Sequence, residues 1–325
     1  MTRIQSALSA VAWTPAYVER LRDGLDAERF IHTRDADEIA QALEHAEVAI
    51  ISGHVDERFL AAPNLRWVHC DAAGLERSAS PAVFEKGLHV TSSSGRTAPA
   101  LAEHCLFFML AFAYRFTDFL AAQKAHQWGI PGQDALRGLV GRTVGIIGLG
   151  NTGQALALRC KALEMRVLGH RRRAVETPGV DVLTAADRGE GIDDLLRESD
   201  FVVLAVPLSD TTHHLIGPRE LALMKPGAVI VNIARGTVID EPALIETLRV
   251  GKILGAGLDV FDREPLPADS PLWDLPNVLI TPHLTPSVPD RTGNSLAIVL
   301  ENARRYRAGE PMVNLLTRED LYTRR

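Results

Sequence analysis

The chain has 325 residues, 46% apolar and 23% charged, and its 35 Lys and Arg against 41 Asp and Glu leave a net charge of −6. This is the composition of a globular chain long enough for one large or two ordinary domains, and its acidic balance argues against broad affinity for nucleic acid. Three widely spaced cysteines, Cys70, Cys105 and Cys160, form no C-x-x-C pair; they argue against a disulfide framework or zinc site and fit a reducing, cytoplasmic setting. Met1 to Ala16 holds neither a charged leader nor a sustained apolar core, so no signal peptide is expected. No membrane span is expected either: Leu101 to Leu120 comes nearest but carries Glu103, Arg115 and Asp118.

In chain order, strands are predicted at Arg29–His32, Val48–Ile51, Leu65–Val68 and His89–Thr91, with helices between them that include Ala16–Leu25 and Asp37–Ala46. That alternation predicts a small parallel sheet. Ala100 to Leu120 reads as one helix, apolar nearly all round, with Leu101, Leu106, Phe107 and Met109 on different faces. A helix without a wet face belongs in a large core or between subunits, so it is expected to lie between domains and contribute to a homodimer interface. Trp128, in the irregular stretch that follows, is either a packing anchor or an arm reaching a neighbouring subunit's pocket.

Val144–Ile147 then runs into Gly148-Leu149-Gly150-Asn151-Thr152-Gly153, followed by helix-compatible Gln154–Leu163 and a strand over Arg166–Leu168. An apolar strand meeting a G-x-G-x-x-G loop that opens a helix is a dinucleotide-binding signature: the first glycine turns, the second admits the pyrophosphate, the third lets helix pack on strand. An acidic residue usually follows the second strand to hold the adenosine ribose. Here the chain reads His170-Arg171-Arg172-Arg173, which suits a 2′-phosphate and predicts NADP(H) over NAD(H), with NAD(H) still accepted. Further strands at Phe201–Ala205, Ala228–Asn232, Ala256–Val260 and Val278–Ile280 make six, a doubly wound sheet whose ligands lie beyond the carboxyl ends. Ser287–Gly309 reads as a final helix returning to the first domain.

The chemistry-bearing residues sit just past strand ends: Ile233-Ala234-Arg235-Gly236, then Phe261 to Leu266 with Glu264, then Thr281-Pro282-His283. Taken together, Asn232 to Gly236, Gly257 to Phe261 with Glu264-Pro265-Leu266-Pro267, and Thr281-Pro282-His283 resemble the D-isomer-specific 2-hydroxyacid dehydrogenase family. Ala73-Gly74, Ala102-Glu103-His104, Val206-Pro207-Leu208, Thr212 and Asp240 to Leu244 match as well, so the resemblance runs from about Val48 to Val313 and is weakest before Ala40.

The resemblance implies a Rossmann cofactor domain over residues 99–287 and a smaller, discontinuous, flavodoxin-like α/β substrate domain over 1–98 and 288–325. It implies an oxidoreductase that reduces a small 2-oxo acid such as glyoxylate or hydroxypyruvate to the D-2-hydroxy acid by hydride transfer. Arg235, Glu264 and His283 take the catalytic roles. His283 gives the carbonyl oxygen its proton, Glu264 orients the imidazole, and Arg235 grips the carboxylate. Ala73 and Gly74 complete the substrate site through backbone N–H groups. Val206, Pro207, Thr212, Ile233, Ala234 and Asp259 line the cofactor, together with Arg235 and His283 themselves. Gly95-Arg96-Thr97 leads into the apolar helix, where substrate or nicotinamide contacts are expected, and Arg96 is read as a solvent-exposed arginine, with a preference for an acidic substrate as the alternative. His213 and His214 lack clustered carboxylates, so no metal is expected. A dinucleotide sensor or corepressor of the same fold is the alternative from another class, and a formate- or phosphite-type substrate the alternative within it; the intact Arg-Glu-His set disfavours both.

Overall fold

Every ladder between named strands is parallel in the computed structural model, which describes residues 3–284 and 288–324. The chain forms two compact units, Met1–Thr97 with Ser287–Arg325, and Ala98–Pro286.

The first unit holds a five-stranded sheet of β1 (Ser6–Ala10), β2 (Arg29–His32), β3 (Val48–Ile51), β4 (Trp67–Cys70) and β5 (His89–Ser92), in the order β2-β1-β3-β4-β5. The helices α1 (Pro15–Leu25), α2 (Ala36–Leu43), α3 (Glu57–Ala61) and α4 (Pro81–Lys86) connect them. β1 escaped the sequence reading because Ser-Ala-Leu-Ser-Ala has no β-branched residue; its place between two strands, with both faces covered, makes the strand. β4 also begins two residues later than predicted, at Trp67, which is completely buried. Pro15 fixes the first turn of α1, while Asp35 caps α2 by accepting from the N–H groups of Asp37 and Glu38.

The second unit opens with α5 (Ala98–Ala113) and α6 (Phe116–Lys124). The single helix expected over Ala100–Leu120 is broken: the two segments meet at 62°, and Arg115 between them is left-handed at φ 51°. Its guanidinium donates to Asp118 at 2.6 Å and to Pro131 O at 2.7 Å, so side-chain bonds hold the corner. Burial all round is also not found within this chain. Ala102, Cys105, Phe108 and Met109 enter the core, but Phe107, Leu110, Tyr114, Phe116 and Leu120 remain substantially exposed. No single helix among the described residues is long and apolar enough to cross a membrane.

The strands of this unit are β6 (Thr143–Ile147), β7 (Arg166–Arg171), β8 (Val182–Ala185), β9 (Phe201–Leu204), β10 (Val229–Asn232), β11 (Gly255–Leu258) and β12 (Val278–Ile280). Their order, β12-β11-β10-β9-β6-β7-β8, is doubly wound, with its switch point between β6 and β9. The sheet has seven strands rather than six, the seventh being β8, a short, half-exposed Val-Leu-Thr-Ala strand at the sheet edge. Helices α7 (Asn151–Ala162), α8 (Asp193–Glu198), α9 (Pro218–Leu223) and α10 (Glu241–Arg249) complete it. Phe108 of α5 packs on β11, where a Cβ at Gly257 would come within 2.5 Å of its ring.

The last helix, α11 (Arg291–Ala308), belongs to the first unit and packs on α1 through Leu296, Val299 and Ala303. Asp290 caps its start and left-handed Gly309 its end, while the start predicted at Ser287 falls outside the described residues. All three cysteines are buried, and burial pushes the thiols of Cys70 and Cys160 up to about 12, so they act as small core residues.

Candidate active site

At the switch point, β6 delivers Gly148 at φ 103°, a conformation that L side chains rarely adopt, and a Cβ there would lie 2.5 Å from Ala205 O. A Cβ on Gly153 would sit 2.0 Å from Gly148 O, so strand end and helix start are packed backbone to backbone. A Cβ on Gly150, by contrast, would meet open space, and Gly150 caps α7 without any side-chain bond to the first turn. The N–H groups of Asn151, Thr152 and Gly153 therefore begin a twelve-residue helix whose mouth is not closed by its own cap. That cradle fits a pyrophosphate. Across from it, Val206 and Pro207 follow β9; Thr212 accepts from Ser209 N at 2.8 Å and donates to Pro207 O at 2.7 Å, shaping this wall.

β7 ends in His170 and Arg171, with no carboxylate in the following Arg172-Arg173. His170 Nδ1 pairs with Thr184 Oγ1 at 2.9 Å, and burial holds the ring below its ordinary pKa, so it is a neutral brace to β8. Arg171 donates to Thr177 Oγ1 at 2.9 Å and to Val175 O at 3.2 Å, which sets its half-buried guanidinium within its own loop.

Beyond β10, the Asn232 side chain accepts from Ala234 N and donates to Arg235 O, both at 3.0 Å, fixing the Ile233-Ala234-Arg235 turn. A Cβ on Gly236 would come 1.9 Å from the Phe261 carbonyl carbon, so this turn lies against the loop after β11. In that loop Glu264 Oε1 accepts from Phe261 N at 3.0 Å, while Oε2 lies 2.6 Å from His283 Nδ1. A carboxylate only accepts, so Nδ1 carries the hydrogen and Nε2 is the atom left to exchange a proton. His283 keeps 43% of its side chain exposed and adopts a left-handed backbone at φ 49°, held as its N–H donates to Asp259 O at 2.8 Å.

Asp259 itself is buried and accepts at Oδ1 from Thr281 Oγ1 at 2.6 Å and from Leu284 N at 2.7 Å. With its hydrogen directed at Asp259, Thr281 takes the N–H of His104 Nε2 at 3.1 Å. Burial raises the Asp259 carboxyl and lowers the His104 imidazole. His104 thus braces Asp259 from α5, a role its place in Ala102-Glu103-His104 does not reveal.

The Ala72–Gly74 segment follows β4 in the first unit and rests on a buried polar network. Trp67 Nε1 donates to Thr91 Oγ1 at 2.8 Å, and Thr91 lies 2.9 Å from His69 Nδ1. His69 Nε2 lies 2.9 Å from Ser93 Oγ, which donates to Asp71 Oδ1 at 3.1 Å. The fixed indole donor and carboxylate acceptor give this chain one direction, which a neutral His69 protonated at Nε2 completes. Asp71 also accepts from Trp13 Nε1 at 2.8 Å, Ser295 Oγ at 2.8 Å and the Arg96 guanidinium. Arg96 is therefore not the solvent-exposed cation expected: its side chain is 8% exposed and ion-paired with Asp71. Burial pushes the Asp71 carboxyl up, but Arg96 and these donors outweigh it and leave it below its usual range.

Full burial lowers His69 to about 4. Its folded pKa lies below its unfolded one, so the unfolded chain binds more protons between pH 4 and 6.5 and stability is lost as pH falls through that window. Urea unfolding at pH 4.5 and 7.5 should give a difference that shrinks by up to about 3 kcal/mol in His69→Gln; an unchanged difference would show that His69 is not buried in its neutral form.

Trp128 is fully exposed, so it is not a packing anchor within this chain. His213 and His214 stack at 4.1 Å, and no group of three metal-ligating side chains occurs among the described residues.

A family model described as D-isomer specific 2-hydroxyacid dehydrogenase, NAD binding domain, matches residues 106–285. The chain is 37% identical over 281 residues to a glyoxylate reductase of Thermococcus gammatolerans, covering 84% of this chain and 83% of that one. It is 39% identical over 278 residues to glyoxylate/hydroxypyruvate reductase B of Pectobacterium carotovorum, covering 84% and 86%. Among solved structures, a D-isomer specific 2-hydroxyacid dehydrogenase from Xanthobacter autotrophicus in complex with NADPH and MES aligns at TM-score 0.82 and 29% identity, covering 99% and 100%. An NADPH-dependent glyoxylate/hydroxypyruvate reductase from Sinorhizobium meliloti, in complex with NADP and sulfate, aligns at TM-score 0.81 and 26% identity, covering 98% and 100%.

Proposed function

Because this chain belongs to the D-isomer specific 2-hydroxyacid dehydrogenase family and is an NAD(P)-dependent oxidoreductase of that family, we propose that it reduces a small 2-oxo acid to the D-2-hydroxy acid with NADPH as the preferred cofactor. Glyoxylate, hydroxypyruvate or a homologue is the substrate, in line with the names of the relatives. The observation that carries the reading is the 2.6 Å contact of Glu264 with His283, a side chain still 43% exposed.

Hydride delivery to the carbonyl carbon is the chemistry the bound cofactor supplies. The protein's residues do the rest. Glu264 fixes the His283 ring through Nδ1, so that Nε2 presents a proton to the carbonyl oxygen as negative charge builds there. Arg235 binds the substrate carboxylate and polarises the carbonyl by charge-assisted hydrogen bonds, and the N–H groups of Ala73 and Gly74 are donors to the same carboxylate. In oxidation the neutral Nε2 accepts the hydroxyl proton.

For the cofactor, Gly148, Gly150, Asn151, Thr152 and Gly153 hold the pyrophosphate, and Val206, Pro207 and Thr212 line the adenosine side. Asp259, Ile233 and Ala234 lie on the nicotinamide side. Arg171 and Arg172 hold the 2′-phosphate where other dinucleotide sites place a carboxylate. Arg171→Ala is expected to raise the NADPH Kd more than tenfold, about 2 kcal/mol, and to leave NADH binding nearly unchanged. Equal losses for both cofactors in a fluorescence titration would remove Arg171 from the phosphate site.

A homodimer is part of this reading. Exposed Phe107, Leu110, Tyr114 and Phe116 on and beside α5 support it, because such an apolar face on a water-exposed helix calls for a partner. Sedimentation of the protein checks it, with a concentration-independent monomer as the contrary result.

A further inference from the structure

The Arg96–Asp71 pair lies at the carboxyl ends of two neighbouring strands, directly before the segment to which the proposed function gives the substrate carboxylate. Arg96 Nη1 donates to Asp71 O at 3.1 Å, to Ser295 Oγ at 3.1 Å and to the Asp71 carboxylate. Its bond to Asp71 O fixes the peptide plane between Asp71 and Ala72. The next plane, between Ala72 and Ala73, is fixed by Ser93 N, which donates to Ala72 O at 2.9 Å. In a trans peptide the N–H points opposite the C=O, so pinning these two carbonyls also aims the N–H groups of Ala72 and Ala73. Asn294 Nδ2 in turn donates to Arg96 O at 3.1 Å, tying the same corner to α11.

We propose that Arg96 is a positioning residue for 2-oxo acid reduction: neutralised by Asp71, it anchors the Asp71–Ala72 peptide at the head of the segment and so, with Ser93 holding the next peptide, sets the course of the chain into Ala73 and Gly74, whose N–H groups meet the substrate carboxylate; it does not itself contact substrate. The proposal rests on the reading of Ala73 and Gly74 as carboxylate donors. It separates from a direct cationic role on two grounds. The guanidinium is 8% exposed, and its nearest charge is a carboxylate that already answers it.

Arg96→Gln, Arg96→Lys and the milder Ser295→Ala are compared with wild type in steady-state reduction of glyoxylate, of 2-oxopentanoate and of dianionic 2-oxoglutarate. Arg96→Gln should raise KM about tenfold by the same factor for all three acids, with kcat and NADPH Kd nearly unchanged. Lysine should restore part of that loss, and Ser295→Ala should give a smaller rise of the same pattern. A loss confined to 2-oxoglutarate would overturn the proposal in favour of direct charge recognition. A KM unchanged in Arg96→Gln, or in a folded Ser295→Ala should Arg96→Gln not fold, would overturn it outright. If wild type reduces no 2-oxo acid, the reductase reading fails instead, and glyoxylate binding to the NADP+-loaded protein, measured by calorimetry, decides the positioning role by the same comparison.

Discussion

Replacing His283 by glutamine lowers kcat for 2-oxo acid reduction by about two to four orders of magnitude, the range of positioned general acid catalysis. Glutamine keeps roughly the bulk and a donor facing Glu264 Oε2, now 2.6 Å from Nδ1, but has no proton to release. NADPH affinity should stay within a few-fold. Glu264→Gln should act in the same direction more weakly, since it removes the orienting charge and leaves the imidazole. The double variant should be scarcely worse than His283→Gln alone, because the two side chains act as one unit. Single-turnover rates isolate the chemical step from product release. A His283→Gln enzyme within tenfold of wild type in that assay would take proton transfer away from His283.

The largest effect on stability is expected at Asp71. Asp71→Ala leaves the Arg96 guanidinium, 8% exposed, without its counter-charge, and strips the Trp13 indole and Ser295 hydroxyl of their acceptor. Breaking one side of a buried pair costs about 3–5 kcal/mol, mostly through the charge left behind. Urea unfolding of wild type and variant measures it. Arg304 with Glu301, exposed on α11, is the internal control: Glu301→Ala should cost far less than Asp71→Ala, because exposed pairs contribute little. An Asp71→Ala loss as small as the control's would mean that water reaches Arg96 and answers its charge.

The elements carrying chemistry were legible in the sequence because each is a local pattern. The glycine loop needs backbone approach at Gly148 and Gly153, and side chains there would strike Ala205 O and Gly148 O. Glu264 and His283 stand just past β11 and β12, and parallel strands bring consecutive carboxyl ends side by side. What stayed hidden depends on tertiary surroundings. β1 is a strand because it is enclosed, not because Ser-Ala-Leu-Ser-Ala favours one. The corner at Arg115 depends on Asp118 and Pro131, and no glycine or proline marks it. Arg96 looked like a lone surface cation because its partner, Asp71, is 25 residues earlier on another strand end. His104 likewise gains its role only where Thr281 arrives from the far side of the sheet sequence.

We propose that the Glu264–His283 pair and the arginine-flanked glycine loop serve NADPH-linked reduction of a small 2-oxo acid. The most direct test follows nicotinamide absorbance while wild-type protein meets NADPH or NADH with glyoxylate, hydroxypyruvate and longer 2-oxo acids. Rapid NADPH consumption with glyoxylate or hydroxypyruvate is expected, with slower turnover with NADH and a D-configured product from hydroxypyruvate. Tight NADPH binding without turnover of any of these acids would contradict it, and would leave a dinucleotide sensor built on a dehydrogenase fold.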